Sequence, residues 1–154
     1  MRTFKKWLMC LVVLLCLTTG NKIYSQTTDS VRIEAQVMNW TPIMDAIIQV
    51  ESGGDPNAVG GKSAGILQIT PIAVKQCNII LKAKKSSKRY TLQDRYNVIK
   101  SKEMFILIQE YYNKEHDLEK AIRLWNGGPN YSIKGTQKYL NKVMRYYNRK
   151  INKN

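Results

Sequence analysis

A chain that runs Thr41-Pro42-Ile43-Met44-Asp45-Ala46-Ile47-Ile48-Gln49-Val50-Glu51 and then Ser52-Gly53-Gly54 is committed to a helix with an abrupt stop. Thr41 suits an N-cap, and Pro42 sits in the first turn, where its missing N–H costs nothing. Gly53 and Gly54 supply the termination. At ~100° per residue, Glu51 projects between Ile47 and Met44, while Asp45, Gln49 and Ser52 make the polar face. A carboxyl held among aliphatic side chains loses hydration and its pKa rises, so Glu51 is a candidate general acid near neutral pH. The plainer alternative, a glutamate fraying into water from a last helical turn, is equally compatible with the spacing.

The first 25 residues read as an export signal. Arg2, Lys5 and Lys6 form a positive start, and Trp7 to Leu17 is an apolar run too short for a comfortable membrane span. Cleavage after Gly20 and cleavage after Ser25 both fit. Leu15 stands where a lipoprotein needs a small residue before Cys16, which disfavours lipid attachment, and an uncleaved N-terminal anchor is the other alternative. Residues 26–38 form a polar lead-in, and 39–154 are expected to be one domain around one core. No later stretch is long and apolar enough to cross a membrane.

Cys10 and Cys16 fall in the signal, so the exported chain keeps only Cys77 and has no internal disulfide. Cys77 lies in line with Ala73 and Ile80 on a short helix, the setting of a buried, inert thiol. The formal charge is +14, and removal of Arg2, Lys5, Lys6 and Lys22 leaves +10. Export removes most contact with nucleic acid, and the run Lys82 to Arg89 lacks the interleaved aromatics of a single-strand binder. The cell wall, with its peptide carboxylates, is the natural anionic partner.

Along the chain, residues 53–69 are rich in Gly and Ser and read as a loop with a small extended element, Ile66-Leu67-Gln68-Ile69 being the candidate strand. Thr70-Pro71 restarts a helix through about Ile80, and Thr91 to Asp94 has a capping pattern. Val98, Ser101, Phe105, Ile108 and Tyr112 repeat at helical steps. The run Met104 to Ile108 is apolar nearly all round, which predicts a central buried helix over 98–112. Leu118, Ala121, Ile122 and Trp125 line a further helix that stops at Asn126-Gly127-Gly128-Pro129. Thr136, Tyr139, Val143, Tyr147 and Ile151 mark a last helix with a basic outer face. The fold class is mainly α (α+β): a single helical domain with a small β-element.

Three blocks, in order, carry a family resemblance: Glu51-Ser52-Gly53-Gly54-Asp55-Pro56-Asn57-Ala58, then Ser63-Ala64-Gly65-Ile66-Leu67-Gln68-Ile69, then Ala121 to Pro129. Together they resemble the SLT-type lytic transglycosylases of the lysozyme-like superfamily, over roughly Trp40 to Tyr147. That family has Glu-Ser at a helix end, a Gly-Leu-Met-Gln type block and Ala-Tyr-Asn-x-Gly. The resemblance implies that Glu51 is the catalytic acid and that the β-element lies beside the cleft. It further implies substrate contacts from Ser52, Gln68, Trp125 and Asn126, with Tyr139 reaching toward the acid. From the residues alone, Ser52 is a helix-end polar group, Gln68 a strand polar group, Asn126 a C-cap and Tyr139 a core aromatic. Two departures stand out. Trp125 replaces the family's Tyr, keeping sugar stacking but losing a phenol, and Gly135-Thr136 stands where the family often has Glu-Thr.

Cleavage of a β-1,4 glycosidic bond needs a proton for the leaving oxygen and a nucleophile for the anomeric carbon. A two-carboxylate hydrolase would want a second acid, but Asp55-Pro56-Asn57 reads as a turn and Asp94 as a helix-start residue. In the family one glutamate is acid and then base, and the muramoyl 6-hydroxyl closes on C1 to give a 1,6-anhydro product. His116 is the sole histidine and stands in a polar stretch, so no metal set of familiar spacing is present, and no metal or cofactor is expected.

The expected function is therefore an exported, monomeric peptidoglycan lytic transglycosylase of the periplasm or cell envelope, acting on glycan strands, with membrane association left open. By family analogy, small members of this kind serve envelope-spanning secretion or conjugation machines. The rivals are a goose-type-like hydrolytic muramidase, a non-catalytic cationic wall-binding protein and a cationic antimicrobial.

Overall fold

The computed structural model of the protein describes residues 38–152. The export signal and all but the last residue of the polar lead-in lie outside the described residues. Within them are five α-helices: α1 (Thr41–Glu51), α2 (Pro71–Ala83), α3 (Val98–Tyr112), α4 (Leu118–Gly127) and α5 (Ile133–Ile151). A 3-10 helix covers Leu92–Tyr96. Strands β1 (Val59–Gly60) and β2 (Ser63–Ala64) pair antiparallel, Val59 opposite Ala64 and Gly60 opposite Ser63. The domain is thus mainly helical with one small sheet, as expected of a lysozyme-like chain. None of the described helices is long and apolar enough to cross a membrane.

Helix α1 begins at Thr41 itself, with Trp40 in the cap position and no side-chain cap there. The Asn39 side chain fills the gap, its Oδ1 accepting from the Thr41 N–H at 3.0 Å. Packing decides this start. Trp40 is 3 % exposed, edge-on to Phe105 and hydrogen-bonded through its indole N–H to Glu110 Oε1 at 3.2 Å. Helix α2 opens where expected, Thr70 Oγ1 accepting from the Ala73 N–H, and runs three residues past Ile80. Helix α3 has the expected bounds but is not enclosed all round. Met104, Phe105 and Ile108 face the core, whereas Ile106 and Ile99 look outward.

The expected strand at 66–69 is a turn instead. Only Ile69 makes a bridge, back to Ala64, and residues 65–68 fold over themselves with Gly65 and Gln68 at positive φ. The apolar pair Ile66 and Leu67 is buried from the tip of this turn, so the short hydrophobic run reflects a plug rather than a pleat. Gly65 permits a very close approach: a Cβ there would stand 1.7 Å from the Arg95 carbonyl oxygen on the 3-10 helix. Arg95 in turn donates to Lys62 O at 3.0 Å and Ile69 O at 3.3 Å, tying the hairpin to that helix.

Helix α5 packs on both α1 and α4. Its buried stripe is Thr136, Leu140 and Val143, with Tyr139 and Tyr147 partly covered; Ile151, expected on that stripe, is exposed. Arg123, only 3 % exposed, fastens α4 to the start of α5. Its guanidinium donates to Ile133 O, Thr136 Oγ1 and Gln137 Oε1, each at 2.8 Å, and to Glu119. Cys77 is fully buried between α2 and α3, and burial pushes its thiol up to about 12.

Replacing Gly65 by alanine forces both a positive φ on a residue with Cβ and a backbone collision. The expected loss is about 3 kcal/mol or more by urea unfolding, from strain and overpacking together. A Gly65→Ala midpoint equal to that of the parent would contradict the close approach.

Candidate active site

Glu51 is the last residue of α1, and α1 delivers it to a cleft of ≈ 340 Å³. One wall is the hairpin region, through Ser63, Gln68 and Ile69. The opposite wall is the end of α4, through Trp125, Asn126, Gly128 and Pro129. Helices α2 and α3 close the far side with Ile72, Gln76, Ile108 and Tyr112. The lining therefore gathers residues from every described α-helix except α5. Among the described residues, Glu51 is the one carboxyl that lines the cleft.

The stripe of α1 explains the environment of Glu51. Ile47 and Met44, on its own face, are buried, so the carboxyl is half-buried beside aliphatic carbon. From behind, α5 contributes Tyr139, whose phenol donates to Glu51 Oε1 at 2.5 Å. Burial raises the Glu51 pKa above its ordinary 4.5; the Tyr139 hydrogen bond and the positive charge of Lys142 work the other way without cancelling it. The Tyr139 phenol is pushed well above its usual range by burial and by the adjacent carboxylate, so it remains a donor. These opposed influences leave a carboxyl that is neutral more readily than a solvated one, yet has a partner for its ionised form.

The other site residues expected from the sequence divide into two groups. Trp125 and Asn126 line the cleft, Trp125 half-buried with its ring tilted 53° against Phe105 at 5.0 Å, Asn126 exposed. Asn126 stands inside α4, whose cap is Gly128 at φ 71. Ser52 and Gln68 are committed to the protein. Ser52 Oγ donates to Ile66 O at 2.8 Å and accepts from the Gly54 N–H at 3.1 Å, pinning the plug turn to the end of α1. Gln68 lines the cleft, but its amide nitrogen donates to Ala58 O and Gly65 O at 3.0 and 3.1 Å.

Asp55 opens an Asx turn, accepting from the Asn57 N–H at 2.8 Å, and does not line the cleft. Asp94 accepts from the Thr91 N–H at 2.8 Å and pairs with Lys100 at 2.6 Å, which holds its carboxyl below the usual range. His116 sits at φ 55 in the turn before α4, edge-on to Trp40.

Three cleft features have no clear sequence signal. Gln76 donates to the Tyr112 hydroxyl at 2.6 Å across the α2–α3 wall, although Tyr112 reads as a core position. Ile72 is 79 % exposed at the cleft margin. Lys142 reads as a plain outer-face cation until folding brings it near Glu51.

A helical domain with a short hairpin beside a cleft, and one half-buried carboxyl within it, defines a lysozyme-like class. The family model of the transglycosylase SLT domain matches residues 31–134, well over half of the chain, and the chain belongs to that family. It is accordingly a peptidoglycan-acting domain of lytic transglycosylase type. The matched span ends before Tyr139, so the partner of Glu51 lies outside it. No curated protein and no solved structure matches the chain.

Because burial raises the folded-state pKa of Glu51, the native state holds that proton more tightly than the unfolded chain does. The resulting stability is present below pH ~4.5 and is lost as pH rises through the folded pKa. Glu51→Gln keeps an acceptor for Tyr139 and cannot titrate, so it should gain on the parent over this window. Urea unfolding of both proteins at about pH 4 and about pH 8 measures the effect. A difference independent of pH would refute burial as the dominant influence.

Proposed function

We propose that this protein is an exported peptidoglycan lytic transglycosylase, working as a monomer in the periplasm or cell envelope, with Glu51 as both acid and base. The observation that carries the reading is that, among the described residues, Glu51 is the one carboxyl lining the cleft. A two-carboxylate hydrolase needs a second acid about 5–10 Å from the first. Here Asp55 is spent on a turn and Asp94 on a cap and an ion pair.

In the proposed reaction the protonated Glu51 gives its proton to the glycosidic oxygen between N-acetylmuramic acid and N-acetylglucosamine, and the C1–O bond breaks. The muramoyl 6-hydroxyl then attacks C1, and the Glu51 carboxylate takes the proton that this hydroxyl loses. The products are a 1,6-anhydromuramoyl end and a free 4-hydroxyl, with no water consumed. One group serving both steps needs a pKa near the working pH, which the aliphatic surroundings of Glu51 favour. Trp125 offers a ring face for a sugar and Asn126 a side-chain amide. Ser52 and Gln68 act through the loop: their hydrogen bonds hold the plug turn that forms the adjacent wall. Service to an envelope-spanning secretion or conjugation machine extends the proposal by family analogy alone.

Mass spectrometry of soluble products from purified peptidoglycan should show anhydro-muropeptides. Glu51→Gln should release them at least about 100-fold more slowly. Products with ordinary reducing ends would instead identify a hydrolase. Tyr139→Phe removes the hydrogen bond that favours the ionised carboxyl, so the Glu51 pKa should climb further. The alkaline limb of the pH–kcat/KM profile should then move to higher pH in Tyr139→Phe; a limb that stays in place or moves down would exclude Tyr139 from tuning the acid.

A further inference from the structure

Helix α5 carries a feature that neither the cleft nor the core uses. Lys134, Lys138, Lys142, Arg145 and Arg149 are all exposed, and α5 contains no Asp or Glu. At ~100° per residue these five cations fall within an arc of about 80°, opposite the buried stripe of Thr136, Leu140 and Val143. They extend over about 22 Å of helix at 1.5 Å per residue. Among the described residues none of the five has an ion-pair partner; the other basic residue of the helix, Lys150, turns back to pair with Asp45 on α1.

Local stability does not ask for this arrangement. Like charges three and four residues apart on a helix repel. Lys134 also stands in the first turn, at the positive end of the helix dipole, where acids are preferred; of the five, only Arg149 lies in the last turn, where the dipole favours a cation. The row runs along the helix that backs the acid: Lys142 follows Tyr139 by three residues on α5, and Tyr139 donates to Glu51 Oε1. Asn141 and Asn148 lie along its edge and could accept or donate hydrogen bonds.

We propose that this face of α5 is a docking track for the peptide carboxylates of peptidoglycan, holding the polymer while the cleft works on its glycan. The inference rests on the substrate reading given above. Charge complementarity carries it: five unpaired cations in file meet a polymer whose stem peptides present carboxylates at intervals along each strand. A row of flexible cations can bind such a periodic anion without fixing its register.

The test uses the full chain with Lys134, Lys138, Arg145 and Arg149 all changed to Gln, leaving Lys142 and the cleft untouched. Binding is measured by co-sedimentation with purified peptidoglycan, in a Glu51→Gln background so that the polymer is not consumed. Near physiological salt, Kd should rise about tenfold, and the difference should shrink at ~1 M salt, where charges are screened beyond about 3 Å. Amidation of the peptidoglycan carboxyls should weaken the parent to the level of the variant.

Equal binding by parent and variant, or a parent indifferent to amidation, would overturn the track. So would a loss of binding confined to vesicles of anionic lipid, which would assign the face to a membrane. With Glu51 restored, both proteins are assayed on glycan strands stripped of peptides, where their rates should match. Absence of product from both would count against the catalytic proposal while leaving the binding result to stand or fall by itself.

Discussion

Everything about the cleft depends on α5 being held across the back of α1. The contact that makes this chemical rather than merely structural is the Tyr139 phenol on Glu51, joining residues 88 apart in the chain. Two further attachments keep α5 there. Lys150 pairs with Asp45 at one end, and the buried guanidinium of Arg123 takes up Ile133, Thr136 and Gln137 at the other. A long helix secured at both ends can present one phenol to one carboxyl without searching. That precision matters because a hydrogen bond to an ionised carboxyl weakens quickly with misalignment.

The second structural device is the turn after the hairpin. Ile66 and Leu67 enter the core from it, Gly65 lets it lie against Arg95, and Ser52 ties it to the helix that carries the acid. Two residues to which the family resemblance gives substrate contacts, Ser52 and Gln68, therefore hold the wall. A short polar side chain beside a Gly-rich loop has many unsatisfied backbone groups within reach, and the protein supplies these before any ligand arrives. The acid keeps its place because its neighbour is spoken for.

Charge is distributed in keeping with this division of labour. Several described carboxyls outside the cleft have local tasks: Asp94 with Lys100, Glu103 with Lys88, Glu115 with Lys120, Asp45 with Lys150. Among the described residues the five aligned cations of α5, Lys134, Lys138, Lys142, Arg145 and Arg149, have no such partner, which leaves that face available to an anionic polymer.

Periodicity and punctuation alone determined the mainly helical class, the bounds of α3, the capped starts of α2 and of the 3-10 helix, and Glu51 at an apolar helix end. These are local properties, set by the spacing of side chains on one element and by caps within three residues of its start. Tertiary packing decided the rest. Burial of Trp40 set the start of α1, and the approach of Arg95 to Gly65 made a turn of the apolar run at 66–69. The competing backbone acceptors claimed Ser52 and Gln68, and the crossing of α5 brought Tyr139 and Lys142 to the acid. The physical reason is the same in each case. A side chain's neighbours along one helix follow from its spacing in the chain, but its neighbours on another element, and hence its pKa and its hydrogen-bond partners, exist only once the elements have packed.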